Sequence, residues 1–115
     1  MKVKRRLTRA DVKVSLSAEY DEISPLPDEM GEKYCAMIRK RLDQGDVWAW
    51  AAVTVTATVG EFTESMTLHG CCYKDEKDFM QPNWYYDDMA NDCVNKINAK
   101  IDRMVNWMEK ESVLQ

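Results

Sequence analysis

No stretch of this chain approaches the roughly 20 apolar residues that a membrane-spanning helix requires, so the sequence offers no transmembrane segment. Glycine is scarce, at four residues, and no glycine-rich phosphate loop, GxSxG elbow or HExxH pair occurs. Histidine occurs once, as His69. Its neighbour Cys71 lies two residues along a strand, about 6.5–7 Å away. A nucleophile pair needs about 3 Å, so catalysis by this couple is not expected. The four cysteines, Cys35, Cys71, Cys72 and Cys93, never form a CxxC pair, which argues against structural zinc. Cys71 and Cys72 point to opposite faces of a strand, and reduced thiols in a cytoplasm are the expectation. The acids of "KDEKDF" and "YYDDM" lack the alternation and glycine of an EF-hand loop. No metal, no cofactor and no enzymatic activity are expected.

The 115 residues make one domain, 45% hydrophobic and 31% charged, the balance of a folded globular protein. Charge is unevenly spread. Residues 1–13 hold six lysines and arginines against Asp11, leaving a net −9 on the rest of a chain whose total is −4. Between 61 and 92, eight acids stand against Lys74 and Lys77. An acidic body disfavours nonspecific nucleic-acid binding, with the basic end as the exception. That end, "MKVKRRLTR", leads into an alternating strand instead of the apolar core of a secretion signal.

"DVKVSLSAEY" alternates, with Val12, Val14, Leu16, Ala18 and Tyr20 on one side, and predicts a half-buried strand. After "SPLP" a helix is expected from Pro27-Asp28, with Met30, Tyr34, Met37, Ile38 and Leu42 at helical spacing and Gly45 as its stop. In "GDVWAWAAVTVTATVGEFTESMTLHGCCY", Gly60-Glu61 suits a two-residue hairpin loop. That loop makes paired residue numbers sum to 121. Val59 then faces Phe62, Val55 Met66, Val53 Leu68, Ala51 Gly70 and Ala49 Cys72, all on one side. The other side pairs Thr58 with Thr63, Thr56 with Ser65, Thr54 with Thr67, Ala52 with His69 and Trp50 with Cys71. Glu64 alone interrupts the aliphatic side, near the tip, where it can reach water.

A last helix is expected from Asn83 or Trp84, its apolar stripe running from Tyr86 through Ile97 to Met104, Val105 and Met108. The fold class is therefore α+β, in the order β-α-β-β-α: a three-stranded antiparallel sheet with two helices packed on one face.

The hydroxyl side gathers Trp48, Trp50, His69 and Cys71 at one end. Tryptophan is prominent among interface hot spots, and a polar sheet with an aromatic anchor makes a docking platform. The same rings covered by a loop or a second subunit are the plainer alternative. Beside them, acids can occupy a basic groove on a partner.

"GDVWAWAAVTVTAT", "GCCYKDEKDF" and "YYDDM" together resemble a group of small bacteriophage and mobile-element proteins, over roughly residues 44–100. The resemblance implies a product acting in the cytoplasm of a bacterial host cell, where such proteins bind and block host machinery, as anti-CRISPR and other anti-defence proteins do. The expected function is inhibition of a host protein complex, with a CRISPR or other nucleic-acid-binding defence complex as the expected partner. Its contact residues are Trp48, Trp50, His69, Lys74, Asp75, Glu76, Asp78, Asp87 and Asp88. One alternative is a nucleic-acid module using Lys2, Lys4, Arg5, Arg6 and Arg9 with the Trp pair. Another is a homo-oligomeric structural component, such as a homodimer built on the Trp face.

Overall fold

A computed structural model of the chain describes residues 6–26, 29 and 31–112. Three antiparallel strands form one sheet in the order β1 (Lys13–Tyr20), β2 (Ala51–Val59), β3 (Phe62–Cys71). Helix α1 (Glu32–Asp43) lies between β1 and β2, while α2 (Glu76–Phe79) and α3 (Tyr85–Ser112) follow β3. The domain is α+β, as its alternating and helical periodicities require.

The hairpin register holds from Val59–Phe62 to Val53–Leu68, and it puts Ala57 opposite Glu64. β1 adds Val14, Leu16 and Ala18 beside Ala57, Val55 and Val53. Ala51, Val53, Val55 and Ala57 are fully buried. These small side chains let α3 lie close, and Tyr86, Met89, Ala90, Cys93, Val94 and Ile97 fill the space above them. Glu64 does not turn to water: it pairs with Lys100 on α3, whose hydrogen bond holds its carboxyl below the ordinary range. Among the described residues no helix packs on the threonine side. Thr54 and Thr67 bond hydroxyl to hydroxyl at 2.9 Å, and Thr56 and Ser65 at 2.8 Å.

Two departures reshape the end of the sheet. At Gly70 the register slips, so Ala51 pairs with Cys71 instead of Gly70. Gly70 has φ +65°, the left-handed conformation of a glycine bulge, and the slip turns Cys71 into the aliphatic core. Burial pushes its thiol up to about 11. Cys71 thus does not join the threonine side. Before β2, the chain makes a 3-10 turn at Val47–Ala49, capped by the Asp46 carboxylate on the Trp48 N–H at 3.2 Å. Strand alternation fails there, so Trp48 and Trp50 do not share a face.

Helix α1 starts at Glu32 with Gly31 as N-cap, later than the expected Pro27-Asp28 start; residues 27, 28 and 30 lie outside those described. It meets the domain through Ile38, which packs with Ala49 and Trp50. Helix α2 is an addition to the expected order, and its Phe79 is 1% exposed. Among the described residues no helix is long and apolar enough to cross a membrane.

Candidate functional site

The two tryptophans enter different clusters. Trp48 packs on the main core, its ring 5.8 Å from that of Phe79, which Tyr73 meets edge-on at 5.0 Å. Trp50 is 5% exposed in the cluster of Ile38 and Ala49. Its indole N–H donates to the Ser24 carbonyl at 2.7 Å, and its ring lies 3.5 Å from where a Cβ on Gly70 would stand. Trp50 is buried, which corrects its reading as an exposed anchor, and Trp48 is partly buried against Phe79.

His69 remains half-exposed at the end of the threonine side, with Nδ1 3.3 Å from both carboxylate oxygens of Asp21. The Asp21 side chain has no solvent exposure. It accepts the backbone N–H groups of Gly70 at 2.7 Å, Ile23 at 2.9 Å and Ser24 at 3.0 Å. Burial pushes its carboxyl up, but these N–H groups and His69 together outweigh that and hold it at about 2. Asp21 ties the end of β1 to the bulge in β3. Sequence reasoning passed over it because its partners lie 48 and 49 residues away.

The acids fall into two groups. On α2, Asp75 caps the helix by accepting the Asp78 N–H at 2.9 Å, and Asp78 accepts the Lys74 N–H at 3.0 Å. Lys74 and Glu76 are exposed. At the start of α3, Asp87 accepts the Asn83 N–H at 2.6 Å and pairs with Arg9 at 2.7 Å. The first of these bonds leads the causes that lower its pKa. Asn83, expected as a cap, has φ 66° and donates its backbone instead. Asp88 is exposed. Thus Asp75, Asp78 and Asp87 hold local backbone, while Glu76, Lys74 and Asp88 face solvent.

Between these groups in the chain lie three exposed apolar side chains absent from the sequence-based site. Trp84 is 50% exposed, Tyr85 54% and Met80 38%. Trp84, Tyr85, Asn83 and Asp88 line a shallow recess of about 370 Å³. Tyr85 also borders an open groove of about 530 Å³ with His69, Gly70 and Tyr73. Burial raises the Tyr73 pKa, with Cys71, Tyr85 and Asp78 adding to it. The available signal was "PNW" ahead of "YYDD": a helix start has exposed outer positions, and two aromatic residues occupy them.

For the nucleic-acid alternative, Lys2, Lys4 and Arg5 lie outside the described residues. Arg6 pairs with Asp102 at 3.2 Å, and Arg9 lies 5.4 Å from the Tyr86 ring while bound to Asp87. Both cations rest on α3. Among the described residues no group of three or more His, Cys, Asp or Glu is placed to hold a metal ion, and the four cysteines are free thiols. Compared with protein-family models, curated proteins and solved structures, the chain matches none.

Proposed function

We propose that this chain is a protein-binding inhibitor of a host complex, acting without catalysis, in the anti-defence setting that its resemblance to phage and mobile-element proteins implies. The observation that carries the reading is the exposed Trp84–Tyr85 pair bordered by Asp88. Large aromatic groups on an acidic surface supply a desolvated anchor and a charge-steered approach to a basic partner. The nearby bulge and its Asp21 hydrogen bonds make the sheet end rigid, which lowers the ordering cost of docking. Lys74, Glu76 and half-exposed His69 extend the contact surface, while Trp48 and Trp50 support it from beneath.

Affinity capture from a nuclease-treated bacterial lysate tests this reading. Wild type should retain a stoichiometric basic protein or complex, and Trp84→Ala/Tyr85→Ala should lose it by at least about tenfold, about 1.4 kcal/mol. The double variant should unfold at the wild-type denaturant midpoint, since both side chains are half-exposed. An empty wild-type capture, or equal capture by both, rejects the assignment.

A further inference from the structure

The first turn of α3 already holds one arginine. Arg9 lies 5.4 Å from the centre of the Tyr86 ring, and its Nη1 donates to the Asp87 carboxylate at 2.7 Å. One guanidinium is thus met twice, on its flat face by an aromatic ring and on its N–H edge by a carboxylate. The chain repeats the two groups on either side of that pair, with Tyr85 before Tyr86 and Asp88 after Asp87. Tyr85 stands three residues before Asp88 and Trp84 four, so helical spacing brings all three to one side. The Asp88 N–H donates to the Trp84 carbonyl at 3.2 Å, which closes that turn. All three line the recess of about 370 Å³. Trp84 and Tyr85 are half-exposed, and among the described residues no cation pairs with Asp88.

We propose that this recess takes an arginine side chain of the partner, stacked against the rings of Trp84 and Tyr85 with its N–H edge on Asp88. The inference rests on the docking role given above to the two rings and names the chemistry that they accept. Arginine fits where lysine does not. A guanidinium is flat and weakly hydrated, so it stacks and forks onto a carboxylate, whereas an ammonium holds its water. The charge balance admits a second cation. Arg9 offsets Asp87, and the helix start adds about half a positive charge, so Asp88 leaves the recess net negative. A nucleobase stacks on the same kind of ring, but its phosphate would be repelled by Asp88.

Titration of the full chain with N-acetyl-arginine amide, followed by NMR at the Trp84 indole N–H, decides the matter. At low salt the shift should saturate with a Kd of about 10 mM, the sum of one exposed cation–π contact and one exposed ion pair. N-acetyl-lysine amide should bind at least about threefold more weakly. Asp88→Asn should weaken the arginine probe by about threefold and leave the rest of the spectrum unchanged. A wild-type shift that grows linearly to about 100 mM overturns the proposal. Equal binding of the lysine probe, an unaffected Asp88→Asn variant, or tighter binding of thymidine monophosphate overturns it equally. Each of those results leaves a positive lysate capture standing. Saturation by the arginine probe beside an empty capture rejects the inhibitor reading instead and keeps the recess as an arginine site.

Discussion

Asp21 is a buried carboxylate whose charge is balanced by hydrogen bonds instead of a strong cation. Three backbone N–H groups converge on it, two from the loop after β1 and one from the bulge in β3, so it substitutes for ladder bonds that the Gly70 bulge removes. Replacing it with asparagine keeps the shape but sets an amide N–H₂ against one of those donors. Asp21→Asn should cost about 2–4 kcal/mol in urea unfolding at neutral pH. The pH dependence has a definite sign. The folded carboxyl sits at about 2, below the ordinary 3.8, so its contribution is present above the ordinary value and fades as pH falls toward about 2. Wild type and Asp21→Asn should therefore converge in stability between about pH 4 and about pH 2. A gap of constant size across that window would deny the carboxylate its role. Aspartate two and three residues before Ile23 and Ser24 is a local turn signal, but its long-range partners leave no mark in the sequence.

At the scale of elements, the hairpin was legible because Gly60 and two alternations specify the same pairing. Legibility ends at Val53–Leu68. A glycine inside a strand marks a bulge, and Gly70 does so here, but alternation alone continues through it and turns Cys71 to the wrong face. Asp46 likewise carries the signal for its turn, a side chain able to cap the Trp48 N–H. Reading "WAW" as strand hid that turn and made two structural rings look like a surface. The consequence is measurable. Trp50→Ala removes a buried ring and the donor to Ser24, and should cost about 3–5 kcal/mol. Trp84→Ala should stay within about 0.5 kcal/mol. Loss of partner capture by Trp50→Ala is therefore no evidence of contact unless the variant is shown to be folded. Trp84 was the less conspicuous residue because its signal, an outward position at a helix start, is weaker than the alternation of a strand.

The whole molecule is elongated, 68 × 24 × 21 Å, with a radius of gyration of 19.2 Å, where a compact chain of this length has about 13 Å. The α3 stripe read as continuous core over its full length, since periodicity records which face is apolar and not how far a sheet extends beneath it. The candidate partner site lies at the α3 N-terminus, while Met104, Trp107 and Met108 near its C-terminus are half-exposed or more. Truncation should separate the part of α3 that folding needs from the part that it does not. A chain ending at Arg103 retains Ile97, Asn98 and Ile101, including the bonds of 3.0 and 2.9 Å between Asn98 and the Leu7 backbone. It should lose less than about 1 kcal/mol in urea unfolding. A chain ending at Val94 lacks those contacts and should fail to fold. A chain ending at Arg103 that fails to fold as well would instead place essential packing contacts in the last turns of α3.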